Sequence, residues 1–292
     1  MSSKRYLVTG ATGHTGGYTC RELLKKGEAV RALVHREDER AAQLRAAGAE
    51  VVVGDLLDLD FVRGALEGIT GAYFIYPIRP ELIEATAYFA QAAGEAGVQA
   101  VVNMSQISAR RVSKSNAARN HWIAERVFDW SGVPVTHIRP TYFAEWLLYP
   151  HVRQAIREQG VIKLPFGEGR HAPIAAQDQG RTIAAILADP LPHRGKTYVL
   201  NGPKEMNEHE IAAAVGEVLG KEVRYEPISI SEYRERLAES GLWPHIIQHL
   251  VEVGIDCQNG VFEGSDQVIE ALTGTPPMTV QQFVQAHRAA FD

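Results

Sequence analysis

Three glycines spaced three apart, Gly10, Gly13 and Gly16, lie directly after the apolar run Tyr6-Leu7-Val8 and directly before a helical pattern from Cys20 to Lys26. A strand that enters a helix through such a loop can hold a dinucleotide. The missing Cβ at Gly10 permits a tight turn, bare backbone at Gly13 admits a pyrophosphate, and Gly16 lets the helix settle on the sheet. Thr12, His14 and Thr15 complete the loop. The first turn of the helix offers unpaired N–H groups and a positive dipole end to phosphate oxygens. The spacing is Gly-x-x-Gly-x-x-Gly, not the Gly-x-Gly-x-x-Gly of many dehydrogenases. A second apolar run, Ala29–Val34, follows where a βαβ unit requires it.

Where that second strand ends, an NAD site usually carries a carboxylate for the ribose 2′-hydroxyl. Here the strand runs out as Val34-His35-Arg36, with Glu37 and Asp38 just beyond. A guanidinium at Arg36 suits a 2′-phosphate, which it grips as a charged fork, and His14 is a second partner for it. NADP is therefore the expected cofactor, with Glu37 and Asp38 speaking for NAD. Asp55 either hydrogen-bonds the adenine amine or caps the next helix. Tyr76 and Pro77 close the fourth strand, beside the expected ribose. Asn103 and Ser105 close the fifth, beside the expected nicotinamide, because ligands bind at the carboxyl ends of such strands.

The elements that must position these residues alternate. Strands are expected at Tyr6–Val8, Ala29–Val34, Glu50–Val53, Ala72–Ile75, Ala100–Met104 and Val135–Ile138. Helices are expected between them at Thr15–Lys26, Asp38–Ala47, Leu59–Leu66, Glu81–Ala96 and Ala118–Trp130. Such alternation means a doubly wound, Rossmann-like parallel sheet in the α/β class. After Pro140 the rhythm breaks, with prolines and glycines clustered from Pro150 to Pro173. Residues 1–140 are therefore expected to bind the dinucleotide, and residues 141–292 to form a smaller substrate lobe interleaved with the sheet.

Composition narrows the class. The 292 residues are 45% hydrophobic and 22% charged, with a net charge of −5. That balance points away from nucleic acid and anionic membranes. Two cysteines, Cys20 and Cys257, make no disulfide framework and suit a reducing, cytoplasmic setting. The first strand starts too early to leave room for a signal peptide, and no apolar run approaches the roughly 20 residues that span a bilayer. A homodimer is the base-rate expectation for assembly.

Five stretches then carry a likeness: Val8-Thr9-Gly10-Ala11-Thr12-Gly13-His14-Thr15-Gly16, Gly54-Asp55-Leu56, Ser131-Gly132-Val133-Pro134-Val135-Thr136, Ile138-Arg139-Pro140 and Leu200-Asn201-Gly202-Pro203. Together they resemble the NmrA-like group of atypical short-chain dehydrogenase/reductases, strongly in the first half and weakly in the last quarter. The resemblance implies a Rossmann domain with a small C-terminal lobe, and NADP more often than NAD. Typical short-chain dehydrogenases place Tyr-x-x-x-Lys on the helix before the sixth strand, where the Tyr handles the substrate proton. Aligned through Glu125 and the Arg-Pro, Ala117 falls at the Tyr position and His121 at the Lys position. The pair is absent, while Ser105 or Ser108 matches the accompanying serine.

His121 becomes the side chain of interest. One helical turn separates it from Glu125, so the two are expected to pair at i, i+4. An imidazole titrates near neutrality and can protonate a reduced product; it can equally anchor the cofactor or serve structure alone. Hydride transfer to a quinone or azo acceptor leaves a conjugated anion that solvent can protonate, whereas ketone reduction needs an acid at hand. Loss of the Tyr thus favours a small aromatic or conjugated acceptor. The resemblance implies quinone reductases and flavin-free azoreductases, or alternatively non-catalytic dinucleotide sensors that bind a partner protein. Tyr142 and Trp146, with Phe143, Tyr149 and Phe166, either wall a flat substrate or pack as core. No metal is expected. His245 and His249 sit four apart but need further ligands, such as Asp256 or Cys257.

Overall fold

Short aliphatic runs make strands, and the amphipathic segments between them make helices, in regular alternation through the first half. The computed structural model describes residues 4–292. In chain order these form β1 (Arg5–Val8), α1 (His14–Lys25), β2 (Ala29–Val34), α2 (Glu39–Ala46), β3 (Glu50–Val53), α3 (Leu59–Leu66), β4 (Gly71–Phe74), α4 (Leu82–Glu95), β5 (Ala100–Met104), α5 (Asn116–Ser131) and β6 (Val135–Pro140). There follow α6 (Pro150–Gln159), β7 (Val161–Ile162), β8 (Arg170–His171), α7 (Ala176–Ala188), β9 (Thr197–Leu200), β10 (Met206–Asn207) and α8 (Glu208–Leu219). The remainder is β11 (Arg224–Tyr225), α9 (Ile230–Glu239), α10 (Pro244–Gln258), α11 (Val268–Thr273) and α12 (Val280–Ala286).

Seven strands make one sheet in the order β3-β2-β1-β4-β5-β6-β9. Every pairing from β3 to β6 is parallel, so the doubly wound α/β sheet expected from the alternation is the one formed. The strand order reverses between β1 and β4, which opens a crevice for a ligand at the strands' carboxyl ends. β4 and β5 are buried at every residue, as strands covered on both faces must be. Phe74, Phe89 and Phe128 meet on one face, with ring centroids 4.8 and 5.4 Å from Phe74.

The chain forms two compact units. The first comprises residues up to Val112, Ala117–Arg139 and Ala176–Tyr198; the second comprises Ser113–Asn116, Pro140–Ala175 and Val199 onward. The first unit also takes in α7, because that helix buries one face against α1: a Cβ added at Gly180 would stand 2.5 Å from Cβ of Tyr18. The second unit has its own core, including Trp146, Phe166, Ile174, Ile211 and Phe283. It also has a capping box at α8, where the Asn207 side chain accepts from the Glu210 N–H and the Glu210 side chain accepts from the Asn207 N–H. Both cysteines are free and buried. Among the described residues no helix is long and apolar enough to cross a membrane.

Candidate active site

The glycine loop is shaped by exclusion. Gly10 sits at φ +56°, and a Cβ there would stand 2.7 Å from the Ile75 side chain. A Cβ at Gly16 would stand 2.3 Å from the Gly10 carbonyl oxygen, and one at Gly13 would stand 3.1 Å from it. The Gly13 N–H donates to the same oxygen at 2.9 Å, which closes the turn. Thr9 pins the loop to the end of β4, its Oγ1 accepting from Ile75 N–H at 2.8 Å. Gly13 is the N-cap of α1; no side chain caps the helix and no acidic residue stands in its first turn. The positive end of the helix thus carries no side-chain cap and no helical carboxylate to repel an anion. This loop fits a pyrophosphate.

A cavity of about 260 Å³ follows, walled by Gly10, Leu33, His35, Asp55, Tyr76 and Pro77. Asp55 is exposed, and its Oδ1 accepts from the Leu57 N–H at 3.0 Å. The capping role that competed for Asp55 belongs to Asp58, whose Oδ1 accepts from Phe61 N–H at 3.1 Å at the start of α3. The two carboxylates that argued for NAD are both engaged. Glu37 pairs with Arg45, which holds its carboxyl below the usual range. Asp38 caps α2 and holds Arg40 at 2.6 Å. Arg36 is exposed. His14 is also exposed, on the loop itself.

Sequence reasoning passed over Arg40. Its Nη1 donates to the Thr12 carbonyl at 3.1 Å, and it lines a recess of about 120 Å³ with Thr12, Gly13 and Arg21. The available signal was a second arginine four residues beyond Arg36. A larger cavity of about 690 Å³ opens around Lys4, Tyr6, Gly71 and Ala100. It lies at the amino ends of β1, β4 and β5, the edge opposite the loop.

At the other end of the crevice lie the fifth strand and α5. Asn103 is buried, and its amide meets His137 Nδ1 at 3.0 Å; the two are register partners across β5 and β6. His137 Nε2 in turn meets Asp129 at 3.1 Å. Ser108 spends its hydroxyl on Gln106 at 2.8 Å, whereas the buried Ser105 Oγ has no partner among the described residues.

His121 is 5% exposed. It does not form the expected pair with Glu125. Both Glu125 oxygens accept from Arg139, at 2.7 and 2.5 Å, and the carboxylate is fully buried. Burial pushes the His121 pKa down to about 4, against the opposing pull of Glu125 and of the Met104 backbone carbonyl. Nδ1 has no partner among the described residues. A neutral imidazole carries one N–H and one lone pair. Burial thus works against His121 as a cationic proton donor and suits it as a hydrogen-bond acceptor.

In the second unit Tyr142 is half-buried, with its ring edge-on to Phe166 and His171 at 5.3 and 5.7 Å. Trp146 is 2% exposed and Phe166 is 1% exposed, so both pack as core. The Trp146 indole N–H has no partner among the described residues. His171 bonds Glu208 at 2.8 Å, both fully buried. His249 Nδ1 meets Ser115 at 2.8 Å. Among the described residues no group of three His, Cys, Asp or Glu is placed to hold a metal ion.

Comparison with known proteins gives concordant matches. The profile of the NmrA-like family matches residues 2–271. The NAD(P)H azoreductase of Xenophilus azovorans is 30% identical over 287 residues, covering 98% of this chain and 98% of that protein. The NADPH-dependent quinone oxidoreductase QOR2 of Escherichia coli, solved in complex with NADPH, superposes with a TM-score of 0.86 at 25% identity, covering 97% of this chain and 99% of the other. The Citrobacter sp. triphenylmethane reductase complexed with NADP(H) shares the fold, with a TM-score of 0.84 at 24% identity over 97% of this chain and 100% of the other.

Proposed function

From the premise that this chain belongs to the NmrA-like family, we propose that it is an NADPH-dependent oxidoreductase that reduces a small aromatic or conjugated acceptor such as a quinone, azo compound or imine. The carrying observation is the crevice itself. A Cβ-excluding loop opens onto an uncapped helix N-terminus at one end, and two buried, unsatisfied polar atoms, Ser105 Oγ and His121 Nδ1, stand beside Met104 at the other. A bound NADPH would supply a hydride there.

This chain's residues divide the remaining work. Gly10, Thr12, Gly13, Thr15 and Gly16 receive the pyrophosphate, and Arg36 with His14 receives the 2′-phosphate. Asp55 meets the adenine, while Tyr76 and Pro77 border the ribose. Asn103, tied through its amide to His137, keeps the end of β5 in register. The Ser105 hydroxyl can donate and the His121 lone pair can accept, a set complementary to a carboxamide. Tyr142 and Trp146, with ring centroids 6.1 Å apart, are the aromatic pair assigned to the acceptor. Because Ala117 stands where a phenol would give a proton and His121 is held neutral, acceptors whose reduced anion is stabilised by conjugation are favoured over simple ketones.

The test follows the near-ultraviolet band of reduced nicotinamide with purified protein and a panel of quinones, azo dyes, cyclic imines and ketones. Loss of the band that needs both protein and a conjugated acceptor is expected. Tight NADPH binding without turnover on any acceptor would replace this reading with a dinucleotide sensor acting through a protein partner.

A further inference from the structure

We propose that Arg139 is a positioning residue for His121: by taking both oxygens of Glu125 it keeps that carboxylate off the imidazole, so that Nδ1 remains an open acceptor facing the nicotinamide end of the crevice. Three observations carry this. His121 and Glu125 are four apart on α5, a spacing that brings side chains together on a helix. Glu125 is nevertheless bonded to β6 in a two-point fork, 2.7 and 2.5 Å long. His121 Nδ1 is left buried and unsatisfied, an arrangement costly enough to be rare unless a ligand completes it.

The charges around the ring are few. Glu125 of α5 is the charged group that acts on His121. Glu125 in turn faces Arg139 of β6, Arg126 of α5 at 3.5 Å, and His137 of β6. The neighbouring β5 contributes the uncharged Met104 carbonyl. Without the Arg139 fork, Glu125 would be a buried carboxylate with Arg126 at 3.5 Å and with His121 one helical turn away, where a ring N–H can reach it. The imidazole would then place a proton on Nδ1 and close the acceptor. An Arg-Glu fork thus sets which hydrogen-bonding face the histidine shows. The proposal rests on the reading of His121 as a contact in the crevice, and its primary test does not depend on that reading.

The experiment is ring-nitrogen NMR of the full chain without ligand, titrated from neutral to acid pH. In the unaltered protein His121 should titrate at about 4, with its proton on Nε2. In Arg139→Gln its titration should move up by about one to three pH units, as a newly freed carboxylate demands, with the proton shifting toward Nδ1. Arg139→Lys, which supplies one donor in place of a fork, should move it part of the way. The double variant Arg139→Gln with Glu125→Gln should return it to the original value or below, because Glu125 already raises it in the unaltered protein. A merely structural role for Arg139 would not be reversed by that second change. If neither the Gln nor the Lys variant moves the His121 titration, the proposal is overturned; should Arg139→Gln fail to fold, the Lys variant decides. If the titration moves while NADPH affinity and turnover do not, the positioning stands and the assignment of His121 to the crevice falls.

Discussion

The choice between NADP and NAD comes down to Arg36 and the two carboxylates after it. Glu37 and Asp38 would compete for a ribose hydroxyl if they were free. One is bound to Arg45, and the other caps α2 while holding Arg40. Replacing Arg36 with Glu should raise KM for NADPH by about ten- to a hundredfold, the worth of a lost charged hydrogen bond, and leave KM for NADH nearly unchanged. Equal effects on both would show that Arg36 does not touch the 2′-phosphate. The motif residues were legible in the sequence because each glycine answers to a local steric demand. Asp58 as the cap of α3, Arg40 against the loop, and the Arg139–Glu125 fork were not, since each depends on where a side chain points after folding.

α1 carries the N-terminus proposed to face the phosphates and packs against α7. At Gly180 an added Cβ would lie 2.5 Å from Cβ of Tyr18 and 2.8 Å from the backbone nitrogen of Thr19. Gly180→Val should therefore destabilise the protein by about 1–3 kcal/mol in urea unfolding, as overpacking does. It should also weaken dinucleotide binding, because α1 must shift. Gly64 in α3 is the internal control: nothing lies within 4 Å of its missing Cβ. Gly64→Ala should stabilise by about 0.5–1 kcal/mol through helix propensity alone. If the two substitutions act alike, packing between α1 and α7 does not position the loop.

For the molecule as a whole, burying histidines as neutral rings makes stability depend on pH. The folded His121 titrates at about 4, below its ordinary value of 6.5, so between those two values the unfolded chain binds a proton that the folded chain refuses. This contribution is fully present above pH 6.5 and drains away as pH falls toward 4, amounting to up to about 3 kcal/mol. Burial lowers His137 as well, which adds in the same direction. Urea unfolding should show stability falling from pH 7 to pH 5, with a shallower fall in His121→Phe. An unchanged slope would mean that this ring is solvated in solution.

The alternation of strands and helices, the glycine loop and the family were determined by the sequence itself, because hydrophobic periodicity and glycine spacing are local signals that survive any packing. Only the tertiary structure decided which of the nearby charges were free. Glu125 could have served His121 or Arg139, Asp55 could have capped or faced the cavity, and α7 could have joined either unit. Each was settled by burial: a group removed from water takes whichever partner the packed backbone brings within hydrogen-bond distance, and that partner can lie far away in the chain.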